Sequence, residues 1–272
     1  LALTLAAACI FITSCGGKTS SSDSSDSSSQ SSSSSSSAPS KPVEKRKVVK
    51  QGEKIDKGFE RNDDTIGWLS LPSGIDDAVL QRNDPDKSHT ENNSYYLKID
   101  EDKKWNVFSC YWADPDCKMG KKEDLSRNTV IYGHSDYKDN KDGKRFSKLF
   151  AYEDIEYLKE NPYIYFSTPE EDMVFQIFSV FYTDIDFTYI LANPSKEQFN
   201  AIVKGAKERS EYIIDMPIGD NDKIITLSTC TGLFKPNDRD NYRYVIMGKL
   251  LPSNEVPVGP VKVAVNPNPL RD

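Results

Sequence analysis

The stretch Ile224-Ile225-Thr226-Leu227-Ser228-Thr229-Cys230 is a run of apolar and β-branched residues that ends in a cysteine. This composition predicts a buried β-strand, and the polar Thr231-Gly232 after it predicts a loop. A strand end beside a loop is where rigid scaffolds present reactive groups. A lone cysteine is more often a small buried hydrophobic residue, so Cys230 needs partners before it indicates chemistry.

Two residues supply such partners. His134 follows another apolar run, Val130-Ile131-Tyr132, and Gly133 before it allows close backbone approach. Arg243 opens the β-forming segment Tyr242–Leu250, and its guanidinium can reach the thiol if that segment pairs with the strand ending at Cys230. We expect the other histidine, His89, to be a satisfied surface residue and Arg239, in the loop before Arg243, to be a solvated charge.

A thiol, an imidazole and a guanidinium together suit acyl transfer. The thiolate attacks a peptide carbonyl, the imidazolium protonates the leaving amine, and fixed positive charge stabilises the oxyanion. Nearby cationic groups also favour the thiolate. The sequence therefore predicts a catalytic set of Cys230, His134 and Arg243, which needs neither cofactor nor metal.

The rest of the chain predicts a mostly β fold. Four segments rich in β-branched and aromatic residues predict strands: Thr129–Tyr132, Tyr163–Phe166, Met173–Tyr182 and Ile224–Thr229. Weaker patterns predict four more: Thr65–Leu71, Ala78–Gln81, Trp105–Ser109 and Tyr242–Leu250. A capping box, Ser195-Lys-Glu-Gln198, precedes one clear helix, and Tyr152–Lys159 predicts a shorter one. About eight strands and few helices favour a closed β-barrel or sandwich with peripheral helices.

The N-terminal part has a different composition. Residues 1–15 are mostly apolar and predict an export signal, whose end at Ile12-Thr13-Ser14-Cys15-Gly16 resembles a lipobox with Cys15 as the lipidated residue. The alternative is an uncleaved signal anchor. Residues 16–47 predict a Ser-rich disordered tether that ends in a basic cluster, suited either to anionic headgroups or to solvent. Residues 48–272 form the predicted catalytic domain.

Charge and cysteine spacing exclude other classes. The formal charge is −7, from 35 basic and 42 acidic residues, which argues against a duplex nucleic-acid binder. Cys110 and Cys117 form either a disulfide or, as we favour, unpaired structural thiols, and their spacing does not support a zinc site. The acidic run Asp136–Gly143 does not fit an EF-hand, so we expect a solvated loop there.

The motif Thr226-Leu227-Ser228-Thr229-Cys230 resembles the Thr-Leu-x-Thr-Cys signature of sortases, and the order His, Cys, Arg is also theirs. The resemblance extends from about Asp64 to Leu250, and the helix Ser195–Arg209 resembles the one that distinguishes class B. It implies a closed eight-stranded sortase barrel and a cysteine transpeptidase that cuts a sorting motif after its Thr. The resemblance further implies four substrate-binding residues: Asn93, Leu97, Tyr189 and Ser228.

The implied partners are surface proteins that carry a sorting signal and an amine acceptor of the cell wall or a pilin. The implied location is the extracellular face of a bacterial, Gram-positive membrane, with the chain anchored at its N-terminus. Two rivals stay open from the sequence: a cysteine peptidase that hydrolyses the same thioacyl intermediate, and a non-catalytic surface lipoprotein.

Overall fold

The computed structural model describes residues 45–47, 51–233, 236–257 and 259–271. The predicted export signal, Cys15 and the Ser-rich tether up to residue 44 lie outside the described residues. In the described part the strands are β1 (Lys45–Lys47), β2 (Thr65–Leu71), β3 (Ile75–Leu80), β4 (Tyr111–Ala113), β5 (Asn128–Tyr132), β6 (Tyr163–Ser167), β7 (Asp172–Asp184), β8 (Tyr212–Ile214), β9 (Ile224–Cys230), β10 (Tyr242–Leu250), β11 (Glu255–Pro257) and β12 (Val263–Val265).

Eight of these strands close into a barrel in the order β10-β7-β6-β2-β3-β4-β5-β9, with β9 pairing back to β10. The predicted mostly β fold with a closed eight-stranded barrel is therefore confirmed. The pairs β3–β4 and β5–β9 are parallel, and the other barrel pairs are antiparallel. Two small antiparallel sheets, β1–β11 and β8–β12, lie outside the barrel order.

Helices precede the first barrel strand and connect several of the others. The α-helices are α1 (Gly52–Arg61), α2 (His89–Tyr95), α3 (Ile155–Glu160) and α4 (Lys196–Arg209), and two 3₁₀ helices cover Arg145–Glu153 and Pro236–Asn241. The predicted capping box is confirmed, because the Ser195 hydroxyl accepts from the backbone N–H of Gln198 and the Gln198 side chain accepts from that of Ser195. Phe199, Ile202 and Ala206 bury one face of α4 in the main hydrophobic core.

Burial on both faces explains the nearly continuous apolar strands. Every residue of β9 from Ile224 to Thr229 is buried, and only Cys230 at its end reaches partial exposure. In β10 the buried stretch begins at Tyr244, so Arg243 is also at the edge of the core. The chain thus leaves the barrel interior at the two positions to which sequence analysis assigned chemistry.

Strand direction brings the predicted catalytic residues to one rim. Because β5 and β9 run parallel, with Tyr132 opposite Ser228, both strands end at the same rim. Strand β10 returns antiparallel to β9 and begins at that rim, which places Arg243 directly opposite Cys230. The predicted pairing of the Tyr242–Leu250 strand with the strand that ends at Cys230 is confirmed.

Some local predictions were wrong. Trp105–Ser109 is not a strand; it holds only an isolated bridge between Trp105 and Ile99, and the barrel strand here is β4. The helix predicted over Tyr152–Lys159 is divided at Asp154, whose side chain caps α3 by accepting from two backbone N–H groups. Helices α1 and α2 were not predicted.

Among the described residues, no helix has the length and apolar composition needed to span a bilayer.

Candidate active site

Cys230 and Arg243 face each other across the β9–β10 ladder. Directly opposite residues in adjacent strands direct their side chains to the same face of the sheet. Both residues line one groove at the barrel rim. The Arg243 guanidinium is oriented by its own segment, since Nη1 donates to the carbonyl oxygens of Asp240 (2.7 Å) and Tyr242 (3.1 Å). A fixed guanidinium therefore lies beside the strand end that carries the thiol.

His134 lies two residues beyond the end of β5 and lines the same groove. A Cβ on Gly133 would lie 2.8 Å from Phe146 Cδ2 and 2.9 Å from Tyr111 Cδ1, so only glycine brings the chain this close to the core. The Nε2 atom of His134 lies 2.7 Å from the carbonyl oxygen of Leu97. A carbonyl can only accept, so Nε2 carries a proton, and in the neutral ring Nδ1 is the basic nitrogen.

The electrostatic surroundings disfavour the charged form of His134. Burial is the main cause that lowers its pKa below the usual value, and the positive charges of Arg239 and Lys98 lower it further. The hydrogen bond to Leu97 opposes these effects without cancelling them. The imidazole is therefore mainly neutral at pH 7.

The groove has a volume of about 660 Å³. Its walls come from α2 and the residues after it, from the ends of β4, β5 and β9, and from the 185–191 segment between β7 and α4. The structure brings together all seven residues that sequence analysis assigned to catalysis and substrate binding: Asn93, Leu97, His134, Tyr189, Ser228, Cys230 and Arg243.

One pair of hydroxyl groups links the 185–191 segment to the cysteine strand. The hydroxyl oxygens of Tyr189 and Ser228 are 2.9 Å apart, and the Tyr189 side chain is buried. Burial raises the pKa of Tyr189 to about 12, with Arg243 opposing the rise and Cys230 adding to it. Asn128 holds the same segment, because its Nδ2 donates to the carbonyl oxygens of Tyr189 and Leu191.

On the opposite wall, Asn93 is oriented by Trp112, whose indole Nε1 donates to its side-chain oxygen at 3.1 Å. The Trp112 ring also lies 5.6 Å from the His134 ring, centroid to centroid. Leu97 is exposed in the groove, while its backbone carbonyl accepts from His134. Leu97 thus contacts His134, the predicted proton carrier, directly, and Asn93 is linked to it through the Trp112 ring.

The expectation that Arg239 is a solvated charge was wrong. Its side chain is only 13% exposed, forms an ion pair with Asp139, and donates from Nη2 to the carbonyl oxygen of Cys230 at 3.0 Å. The 136–143 run is accordingly not a purely solvated loop, because the Asp139 side chain is 12% exposed. Asp139 lies in an irregular segment and Arg239 in a short 3₁₀ helix, so no periodic pattern marks either residue. The one signal for Arg239 in the sequence is its position between Cys230 and Arg243.

His89 is a surface histidine with a partner, as expected, but it also lines the groove. Its Nε2 lies 3.0 Å from Asp114 Oδ1 and 3.7 Å from Asp116 Oδ2, and the hydrogen bond to Asp114 raises its pKa. Within the part of the chain that the structure describes, these three residues are the one His, Cys, Asp and Glu group whose donor atoms, within 4.8 Å of one another, could hold a metal ion. In the sequence, the capping box formed by Ser88 and Glu91 could have indicated α2, the helix that carries His89 and forms this wall of the groove.

The two other described cysteines are unlike Cys230. Cys110 and Cys117 are unpaired and buried, which agrees with the favoured interpretation of structural thiols. Burial raises the pKa of each to about 12, so both stay protonated at neutral pH. Cys230 is thus the one described cysteine that reaches the groove surface.

Residues 93–251 match the sortase domain family, which covers more than half of the chain. Sortase B of Listeria monocytogenes is 32% identical over 196 residues, which cover 70% of this chain and 71% of that protein. The chain belongs to the sortase family, in class B. It is thus a cysteine transpeptidase, as the sequence motif predicted.

One further relative and two solved structures are also similar to this sortase. Sortase B of Staphylococcus aureus is 23% identical over 192 residues, which cover 70% of this chain and 71% of that protein. Among solved structures, a sortase B–substrate complex from S. aureus has a TM-score of 0.60 at 22% identity and covers 74% of this chain and 85% of that one. Sortase B from L. monocytogenes has a TM-score of 0.56 at 29% identity and covers 72% of this chain and 98% of that one.

Proposed function

We propose that this sortase cleaves a C-terminal sorting motif after its Thr and transfers the protein to an amine of the cell wall or a pilin. The observation that carries the proposal is the convergence of Cys230, His134 and Arg243 at one rim of the barrel, on the wall of one groove. The proposed roles are nucleophile for Cys230, proton carrier for His134 and oxyanion stabiliser for Arg243.

Acylation uses all three groups. The neutral His134 imidazole takes the proton of the Cys230 thiol, the thiolate attacks the Thr carbonyl, and the Arg243 guanidinium stabilises the negative oxygen of the tetrahedral intermediate. The His134 imidazolium gives its proton to the leaving amine as the C–N bond breaks, which leaves a thioester on Cys230 and a neutral imidazole. An acceptor amine then attacks the thioester, the imidazole takes the proton, and the thiolate departs with the amide bond formed.

Four further residues are proposed to bind the sorting peptide: Asn93, Leu97, Tyr189 and Ser228. They lie on both walls of the groove, and the segment that carries Tyr189 is held against β5 by Asn128. An exposed Leu97 offers apolar contact, and Asn93 is oriented by Trp112. The similar S. aureus structure is a sortase B–substrate complex, which supports a sorting peptide as the groove's occupant.

For location, we propose the extracellular face of a Gram-positive membrane with the chain anchored at its N-terminus. The support is the apolar leader, the lipobox-like Cys15 and the Ser-rich tether in the sequence. Palmitate labelling of expressed protein tests the lipid: we expect a label that Cys15→Ser abolishes. A label that survives the substitution would show that Cys15 is not the lipidated residue.

Product analysis tests the transpeptidase activity. Sorting-signal peptides are incubated with the enzyme, with and without an added oligoglycine or diamino acid acceptor, and the products are separated by mass. We expect the amide adduct to exceed the free acid when the amine is present. Free acid alone at every amine concentration would indicate a hydrolytic peptidase instead, and no cleavage of any peptide would contradict the proposal.

A further inference from the structure

The carbonyl group of Cys230 is held by side chains. Its carbonyl oxygen accepts from Ser135 Oγ at 2.6 Å and from Arg239 Nη2 at 3.0 Å. The β9–β10 register ends at Cys230, and one further backbone bond, from Thr231 to Tyr242, follows it. The nucleophile therefore lies where strand pairing stops and two loops supply the remaining contacts.

Asp139 completes this arrangement. One of its carboxylate oxygens, Oδ1, pairs with Arg239, and Oδ2 accepts from the Thr231 hydroxyl (2.8 Å) and the Gly232 N–H (2.7 Å). Asp139 also has a φ of +52°, a backbone region that non-glycine residues seldom occupy. A nearly buried ion pair thus contacts the peptide groups at and immediately after Cys230.

The same pair reaches the segment that carries the imidazole. Ser135 follows His134 directly, and its hydroxyl is in contact with Arg239 as well as with the Cys230 carbonyl. One guanidinium therefore bridges the chain after His134 and the chain at Cys230. Ser135 lies after β5 and Arg239 lies in the 3₁₀ helix before β10, so neither residue belongs to a strand.

We propose that Asp139 and Arg239 form a positioning pair, which holds the Cys230 carbonyl and the Ser135 hydroxyl together and so fixes the thiol relative to the imidazole. The inference rests on the proposed roles of Cys230 and His134. Acyl transfer needs reacting groups held within a fraction of an ångström, and a misplacement of about 1 Å costs on the order of 100-fold in rate. The positive charge of Arg239 also contributes to the lowered pKa of His134, together with that of Lys98.

Three substitutions separate position from charge. Arg239→Gln removes the ion pair and the positive charge, Arg239→Lys keeps the charge but loses the two-pronged contact, and Asp139→Asn keeps the shape but loses the negative charge. We expect kcat for the sorting peptide to fall about 100-fold in each, with KM changed less than about threefold. The double variant Asp139→Asn with Arg239→Gln should lose no more than either single variant, because the two residues act as one unit.

The chain offers a matched control in a second, nearly buried arginine. Arg145 is 15% exposed and pairs with Asp77 (2.8 Å) and Glu101 (2.7 Å), but it does not line the groove. Arg145→Gln should lower the unfolding midpoint at least as much as Arg239→Gln does, yet leave kcat within about twofold. Equal loss of activity in Arg145→Gln and Arg239→Gln would contradict the proposed positioning role. So would Arg239 and Asp139 variants that keep kcat within about twofold of wild type.

A thiol probe separates this test from the proposed function. Iodoacetamide needs no sorting peptide to alkylate an accessible thiol, and Cys230 is the one described cysteine that is not buried. We expect slower alkylation of Cys230 in all three variants, and a raised pKa of His134 by NMR in Arg239→Gln but not in Arg239→Lys. Unchanged alkylation rates would contradict the proposed positioning role of Asp139 and Arg239 even if the variants cleave peptides. Slower alkylation would support that role even if no tested peptide reacts. If Arg239→Gln does not fold, Arg239→Lys and Ser135→Ala are judged by the same criteria.

Discussion

The rim of the barrel holds two sets of charged and reactive groups that are fixed in different ways. Cys230 and Arg243 are paired residues of one antiparallel ladder, and His134 follows a strand that is parallel to the same β9. Asp139 and Arg239 lie in the segments after β5 and before β10, where one ion pair and a few hydrogen bonds hold them. The groups proposed to react are thus set by repeating strand geometry, and the groups proposed to position them are set by a loop and a short 3₁₀ helix.

This difference indicates where each kind of change should act. The end of a barrel strand has little conformational freedom, because the rest of the strand is buried. Substitutions there should therefore alter the chemistry and leave the fold largely intact. A loop held by few contacts belongs to the less stable part of a protein. The predictions below test this division from the largest effect to the smallest.

The largest effect is expected at Arg243. Arg243→Ala should reduce the acylation rate by about 10²–10³-fold, because loss of one oxyanion-stabilising group costs that much in other acyl-transfer sites. Quenched-flow mass spectrometry of the acyl-enzyme measures the rate. Lys249→Ala, at the far end of the same strand, is the matched control and should keep the wild-type rate. A loss below fivefold at Arg243 would remove it from the proposed catalytic set.

A smaller effect on rate, with an effect on stability, is expected at Gly133. The added methyl of Gly133→Ala would lie 2.8 Å from Phe146, inside van der Waals contact. We expect the free energy of unfolding to fall by about 1–3 kcal/mol, as for other overpacked sites, and the acylation rate to fall because His134 moves. Urea unfolding checks the first effect. Gly219→Ala, whose Cβ would have its nearest neighbour at 3.7 Å, should change neither quantity.

The hydrogen bond between Tyr189 and Ser228 should have a modest effect. Tyr189→Phe removes one hydroxyl of the 2.9 Å contact, a loss of about 1 kcal/mol, or roughly fivefold in kcat/KM. Ser228→Ala should cost a similar amount, and the double variant should cost little more than either single one. Strictly additive losses would show that the two hydroxyl groups act independently.

The smallest effect is expected at Lys98. Its positive charge lowers the pKa of His134, so Lys98→Ala should raise that pKa and keep the imidazolium form to higher pH. The pH titration of the His134 ring signals by NMR measures the change. The exposed Lys57 on α1 is the control, and Lys57→Ala should leave the pKa of His134 unchanged. A lower pKa in the Lys98 variant would contradict the electrostatic account.

The same division between strands and loops explains what the sequence could predict. Content of β-branched and aromatic residues indicated β2, β5, β6, β7, β9 and β10 to within two residues, because burial in a barrel dictates residue type along a strand. The proposed catalytic set could be chosen from the sequence for the same reason, since each member lies near one end of such a strand. The short α2 was missed although Ser88 and Glu91 form a capping box like that of Ser195, and Trp105–Ser109 has β-forming residues without a strand partner.

The positioning pair could not be predicted from local pattern. Asp139 lies in an acidic run whose composition suits solvent, and Arg239 is one charge in a polar loop. Their contact spans 100 residues and depends on how the two loops fold over the barrel rim. Burial of an ion pair is a property of the assembled rim, so only the structure distinguishes Arg239 from a solvated arginine.

Mass analysis of the acyl-enzyme tests the central claim most directly. Wild type and Cys230→Ala are incubated with a panel of sorting-signal peptides in the absence of an amine, then measured as intact proteins and mapped by proteolysis. The account predicts that wild type gains the mass of the N-terminal peptide fragment on Cys230 and that the variant gains none. An adduct of equal yield in Cys230→Ala, or one that maps to Cys110 or Cys117, would contradict it.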